Sequence, residues 1–256
     1  MVVGGFHTVV GKDFISLDGE AIGVWIKKAS ISDIWFRLLQ GRIPTHVERR
    51  LLEAVLVSMA DHGETPPSTQ AARLVASTGV PLQCAIATGF LAFGDHHAGA
   101  IEGVMRFLQE EHTDLNLKDV ENLVATFLSK GLRIPGFGHR LHHRDPRVEP
   151  LLELRRSLGF SGKNVDIVLA MEKHLVREKG ISLNVDGICG ALLTDLGFPY
   201  QSGRAFFMAG RLPGILCHIL REQYETKAFR RYNLVACTED VEVGGEREKN
   251  EKAFCR

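Results

Sequence analysis

The 256-residue sequence predicts an all-α fold with a short N-terminal β-hairpin and a charged C-terminal tail. Three observations lead there. Apolar residues recur at spacings of three and four through most of the chain, as in Val120, Leu123, Val124, Phe127 and Leu128, which is the stripe of an amphipathic helix. Only HTVVGKDFISLDG, residues 7–19, alternates instead around a Gly-Lys-Asp turn, the pattern of a hairpin. From about residue 239 the stretch EDVEVGGEREKNEKAFCR is charged and poor in apolar residues, too little apolar surface to order a segment, so a mobile arm is expected.

Taken in order, residues 1–30 form the β appendage and residues 31–238 a helical domain. Helices are predicted at 32–40, 46–61, 68–78, 82–92, 99–110, 117–130, 146–158, 163–176, 187–196 and 203–222, separated by glycine or proline. Gly63 stops the helix at 46–61 and leaves His62 at its negative end. Asp145 followed by Pro146 reads as an N-cap and first-turn proline for the helix at 146–158. In 163–176 the stripe is Val165, Val168, Leu169, Leu175 and Val176. Asp186, in NVDG, stands where a cap for the helix at 187–196 belongs.

Bulk composition excludes several classes of function. Lys plus Arg and Asp plus Glu both number 31, so no global field draws the protein to nucleic acid or to an acidic membrane surface. No run approaches the ~18 apolar residues of a membrane span, and MVVGGFHTVV carries neither a charged leader nor a cleavage site. Five cysteines, Cys84, Cys189, Cys217, Cys237 and Cys255, are odd in number and widely spaced without a C-x-x-C. Neither a disulfide framework nor a zinc site is indicated, and a cytoplasmic protein without a metal is expected.

Against that neutral background, GFGHRLHHRDPRV at 136–148 concentrates histidine and arginine in one loop. Arg147 in the first turn of a helix, with that turn's free N–H groups, makes a site for a carboxylate or phosphate. Gly136 and Gly138 allow a sharp bend that presents His139. A solvated basic loop explains the same residues. A metal site fits less well, because adjacent His142 and His143 do not converge on one ion. Three other stretches stay equally open. His62 is a ligand group or a helix-terminal cation, GDHHAGA at 94–100 a site or a turn, and Asp186 a base or a cap. Arg211 lies in the apolar run AFFMAGRLPGILCHIL, where an unpaired guanidinium would cost several kcal/mol, so it needs an internal carboxylate or a bound acid.

In order, LLQGRIPTHVERRLLEAVLVSMADHG, GDHHAGA, GFGHRLHHRDPRV and LNVDG resemble the citrate synthase superfamily, from about Leu38 to about Arg231. At this length the chain looks most like stand-alone citryl-CoA lyase-type members and the C-terminal module of ATP-citrate lyase. The resemblance implies a citrate-synthase-like helical fold with large and small subdomains, the small one at about 110–200. It implies that His62 and His139 hold the small acid, with His139 polarising its keto or hydroxyl oxygen. Arg147 and Arg211 would clamp its carboxylates beside Phe207, and Arg230 is similar in position to an arginine contributed across a dimer interface. Asp186 would be the base toward the acetyl-CoA methyl, and His97 would hydrogen-bond the thioester oxygen. Arg140, His142 and Arg144 are assigned to coenzyme A.

Such chemistry needs a base beside a donor on the thioester oxygen, because the enolate is stabilised where its charge develops. It also needs arginines for two carboxylates. The expected partners are therefore acetyl-CoA, citryl-CoA and oxaloacetate, in a homodimer or higher homo-oligomer, with the coenzyme A thioester a substrate and no cofactor. Lyase is favoured over synthase. Two departures stand out: the ATP-citrate lyase module has an aromatic residue where His97 stands, and Ala98 replaces the glycine usual after that histidine. No glycine-rich phosphate loop is present, so if citrate is the starting material a separate citryl-CoA synthetase must make the thioester. The rival from another class is a catalytically silent subunit that binds CoA or a dicarboxylate, which would be expected to have lost a reactive group. A histidine metal hydrolase is the third reading, separable by metal analysis.

Overall fold

The computed structural model describes residues 7–138 and 143–231. Alternating residues at the N-terminus form a three-stranded antiparallel sheet rather than a two-stranded hairpin: β1 Thr8–Val10, β2 Ile15–Leu17 and β3 Glu20–Ala21. The order is β1-β2-β3, with Thr8 opposite Leu17 and Ser16 opposite Ala21. Asp18 and Gly19 take positive φ (56° and 82°) to make the second turn. Sequence reading missed β3 because two residues carry no period. It also missed α1, Ile22–Lys28, whose N-cap Ala21 offers no side-chain bond and which shows one apolar anchor, Trp25. The Trp25 indole donates to the Leu17 carbonyl at 3.2 Å and ties helix to sheet.

The remaining α-helices are α2 Ile31–Gln40, α3 His46–Ser58, α4 Pro67–Ala76, α5 Leu82–Leu91, α6 Gly99–Arg106, α7 Val120–Ser129, α8 Val148–Ser157, α9 Lys163–Lys179, α10 Val185–Asp195 and α11 Gly203–Glu225. Ser30 with Asp33 and Thr45 with Glu48 close capping boxes on α2 and α3, each satisfying two otherwise orphaned backbone donors. Among the boundaries that differ from expectation, three bear on the site and the core around it. α3 ends at Ser58, so His62 lies in the following loop and not in a terminal turn. α6 gives way to a π-turn, Phe107–Glu111, in which Gln109 reaches the Phe198 carbonyl at 2.8 Å and accepts from the Tyr200 amide at 2.9 Å. α8 begins at Val148, because Asp145 turns inward instead of capping it. The expected tail from residue 239 lies outside the described residues.

α10 is the centre of the main core. Ile188, Cys189, Ala191, Leu192 and Leu193 on it have no exposed surface, as befits a helix apolar on every side. Gly190 lets α6 come close, since a Cβ there would stand 2.8 Å from Val104. A second cluster, Ala72, Ala76, Ala85, Ile215 and Ile219, joins α4, α5 and α11. Both cores end at the α10 N-terminus and the middle of α11, where the charged residues gather.

Candidate active site

Local sequence decides what stands at the start of α10. Asn184 is the N-cap, its side chain accepting from the Gly187 amide at 3.0 Å, so Asp186 is relieved of capping. Asp186 sits in the first turn, and its Oδ1 is buried without a hydrogen-bond partner among the described residues. Burial pushes its pKa up to about 6, against the opposing charge of Arg147 and, more weakly, Arg211, while Asp145 adds to the rise. A carboxyl of that kind exchanges a proton near neutrality.

The glycine-rich loop is zipped to the approach of α10. Gly138 N donates to Ser182 O at 2.8 Å, Asn184 N to Gly136 O at 3.0 Å, and Asn184 Nδ2 to Gly138 O at 2.7 Å. Gly136 has φ +84°, and a Cβ on it would lie 2.5 Å from the Gly187 Cα, so both conformation and space require glycine there. His139, Arg140 and His142, which follow, lie outside the described residues. Arg144 is exposed.

Arg147 has a carboxylate of its own chain. Its Nε and Nη2 reach the two oxygens of Asp145 at 2.9 and 2.8 Å, and Val185 N donates to the same carboxylate at 3.0 Å. Burial alone would raise the Asp145 pKa, and the bonds and charge of Arg147, helped by Val185, hold it below its ordinary 3.8. Asp145 thus fixes Arg147 beside the α10 N-terminus. Sequence reading took it for a cap.

Arg211 is 2 % exposed, donates through Nε to the Met59 carbonyl at 2.6 Å, and holds its guanidinium 5.0 Å from the Phe207 ring centroid. Among the described residues it forms no ion pair within 4.0 Å, so the internal carboxylate considered from the sequence is not in contact. Burial lowers its pKa; the charges of Asp61 and Asp186 oppose that, and Arg147 reinforces it. Phe207 meets the edge of His97 at 6.3 Å, and His97 stacks on Phe93 at 4.9 Å. His97 Nε2 lies 2.8 Å from Ser68 Oγ, while His96 is exposed.

His97, Phe207, Arg211, Asp186 and Arg147 are therefore linked in one cluster by ring contacts and charge. His62, half-buried, stands next to Asp61, which acts electrostatically on Arg211. Arg230 is elsewhere in this chain. It pairs with Glu222, three turns along α11 from Arg211, and its amide donates to Ser77 Oγ at 3.0 Å. A cleft of about 910 Å³ reaches Asn184, two residues before Asp186, and has apolar Ile134 and Phe137 and basic Arg106, Arg133 and Arg204 on its walls; the five cluster residues do not line it. No group of acidic, histidine or cysteine side chains among the described residues is arranged to hold a metal. No helix among them is long and apolar enough to cross a membrane. Ser68, Asp145 and His218 were not singled out for a role at the site, since each partnership is visible only after folding.

A carboxyl poised near neutrality, a buried guanidinium with no ion pair among the described residues, a second guanidinium held by Asp145 and an oriented imidazole can move a proton on a carbon acid and stabilise the resulting charge. Known proteins are similar to this chain in fold and sequence. The solved citryl-CoA lyase from Hydrogenobacter thermophilus is 35 % identical with a TM-score of 0.82, covering 96 % of this chain and 95 % of that one. Citrate synthase of Heyndrickxia coagulans is 28 % identical over 236 residues, 90 % of this chain. Citrate/2-methylcitrate synthase of Bacillus subtilis (strain 168) is 32 % identical over 212 residues, 80 % of this chain. The chain spans 62 % and 56 % of the lengths of those two synthases. Residues 16–232 match the family described as "Citrate synthase, C-terminal domain", and the chain belongs to the citrate synthase family.

Proposed function

We propose that the protein is a citryl-CoA lyase, cleaving citryl-CoA to acetyl-CoA and oxaloacetate by retro-Claisen chemistry. The observation that carries this reading is Asp186, whose buried Oδ1 has no hydrogen-bond partner among the described residues and whose pKa is near 6 under the charges of Arg147 and Arg211. Lyase is favoured over synthase because similarity to the Hydrogenobacter thermophilus lyase runs the full length of both chains.

In cleavage, a base takes the proton of the citryl hydroxyl; His139 is assigned that step. The bond between the hydroxyl-bearing carbon and the thioester-bearing CH2 breaks, leaving the oxaloacetate ketone and the acetyl-CoA enolate. His97 donates to the enolate oxygen, its ring set by Ser68, and protonated Asp186 delivers its proton to carbon. Arg147 and Arg211 bind the carboxylates, with His62 and Phe207 lining the acid; Arg230, paired with Glu222 of its own chain, would have to leave that pair to serve a second subunit. Coenzyme A occupies the cleft beside Asn184, and Arg140, His142 and Arg144 are assigned to it on the family resemblance. Run in reverse, ionised Asp186 removes the methyl proton and the same groups condense the two products.

A homodimer is part of the proposal. α5 is apolar on most sides, yet Leu82, Cys84, Ala87 and Leu91 are exposed, as are Leu212 and Leu220 of α11, a helix in contact with α5. Free thiols at Cys84, Cys189 and Cys217 support a reducing, cytoplasmic setting. A separate synthetase would supply citryl-CoA from citrate.

The test is product analysis of purified protein given citryl-CoA in one reaction and acetyl-CoA plus oxaloacetate in another. Citryl-CoA should yield acetyl-CoA and oxaloacetate without free CoA. Release of free CoA and citrate from acetyl-CoA plus oxaloacetate would make it a synthase, and no turnover in either would make it a binding subunit.

A further inference from the structure

The loop that carries His62 is laid along one face of α11 by three successive bonds. Arg211 Nε donates to the Met59 carbonyl at 2.6 Å, Gly214 N to the Ala60 carbonyl at 3.1 Å, and His218 Nε2 lies 3.0 Å from Asp61 Oδ1. Positions 211, 214 and 218 share that face by helical spacing. The approach is tight at its centre, where a Cβ on Gly214 would stand 2.3 Å from the Ala60 oxygen and 2.8 Å from Asp61 Oδ1. The neighbouring Pro213 has no amide hydrogen to give the helix. Two of the rungs use the loop backbone. The third uses a side chain at each end.

Asp61 does more than accept from His218. Its Oδ2 accepts from the Gly63 amide at 3.2 Å, closing a turn around His62, with Gly63 at φ +70°. The Asp61 charge also bears on Arg211. His218 is 7 % exposed, whereas the Asp61 side chain is half exposed, so the buried imidazole is the fixed partner that orients an otherwise solvated carboxylate.

We propose that His218 is a positioning residue for the dicarboxylate site: through Asp61 it fixes the turn bearing His62 and keeps a negative charge near Arg211, without touching substrate itself. This rests on the reading of His62 and Arg211 as the acid-binding groups.

Calorimetric titration with oxaloacetate, alongside KM for acetyl-CoA, tests it in the full-length protein. His218→Leu keeps bulk and deletes the bond, while His218→Gln can place an amide nitrogen where Nε2 stands. His218→Leu should weaken oxaloacetate binding about tenfold, the factor carried by one modest hydrogen bond. His218→Gln should stay within about threefold of the parent. KM for acetyl-CoA should be unchanged in both. Asp61→Asn, on a half-exposed side chain, supplies the test if His218→Leu does not fold, and should weaken oxaloacetate in the same way. Combining Asp61→Asn with His218→Leu should lose less than the product of the two single effects, because they share one bond although only Asp61→Asn also removes the charge near Arg211. Unchanged oxaloacetate binding in His218→Leu and in Asp61→Asn would overturn the proposal. So would equal loss of oxaloacetate and acetyl-CoA, or failure of His218→Gln to rescue. A parent protein that binds no oxaloacetate would instead remove the functional reading, and the positioning role with it.

Discussion

At the scale of single residues, Asp186 is held in a state that the fold does not favour. Its folded pKa is about 6 against an ordinary 3.8, so the folded protein binds the proton more tightly than the unfolded chain. At pH 7 its ionisation therefore costs stability, on the order of 2 to 3 kcal/mol as an upper bound. That cost fades as pH falls through 6 toward 3.8. Asp186→Asn should raise the thermal midpoint at pH 7 and change it little near pH 4; an unchanged midpoint at pH 7 would contradict the burial. On the proposed mechanism, His97→Phe keeps the ring but deletes the donor to the enolate oxygen, and turnover should fall ~100-fold to 1000-fold with little change in binding. His96→Phe, on an exposed side chain, should be near-silent, and steady-state kinetics of the pair checks the register. Arg211→Met is a cleaner test of the carboxylate clamp than Arg147→Ala, which would strand the buried Asp145 carboxylate. Its oxaloacetate affinity should drop by roughly 1.5 to 3 kcal/mol while acetyl-CoA is unaffected, as titration would show. Arg211 stands out in the sequence as a guanidinium in an apolar run, whereas the residues alone leave Asp186 a base or a cap and GDHHAGA a site or a turn; the roles proposed for Asp186 and His97 come from the family resemblance. The Asp145 pairing was not legible, because Asp-Pro is equally good as a helix start and the competing Val185 amide is 40 positions away.

Elements show where periodicity suffices and where it fails. Helices α2 to α11 all overlap the predicted segments, since each buries a stripe long enough to read. α1 was missed for lack of a cap, and α3 was drawn three residues long because Gly63 looked like its stop although the chain leaves the helix at Met59. In α11, residues 211, 214, 218 and 222 all serve one polar seam, ending at Glu222, which is 2 % exposed and pairs with Arg73 and Arg230. Burial would raise the Glu222 pKa, but Arg230, Arg73 and Thr226 outweigh it and bring it to about 2. With the folded value below the ordinary 4.5, this seam stabilises the protein above pH 4.5 and loses that contribution as pH falls toward 2. Glu222→Gln should be less stable than the parent at pH 7, with the difference shrinking in denaturation curves run below pH 4. A difference that grows on acidification would show the opposite sign.

The whole molecule brings groups from five separate stretches of sequence to the α10 N-terminus and the face of α11. Sequence order and residue type were enough to name most of these stretches. What they could not supply is the partner each side chain meets, since Ser68 with His97, Asp61 with His218 and Arg73 with Glu222 are contacts between residues 29 to 157 positions apart. The central claim is that Asp186 passes a proton to carbon when citryl-CoA is cleaved at this site. Cleavage of citryl-CoA in deuterium oxide, followed by mass spectrometry of the acetyl-CoA formed, tests it most directly. The parent protein should put at least one deuterium in the acetyl methyl, and Asp186→Asn should form no acetyl-CoA; labelled product at an undiminished rate from Asp186→Asn would contradict the account.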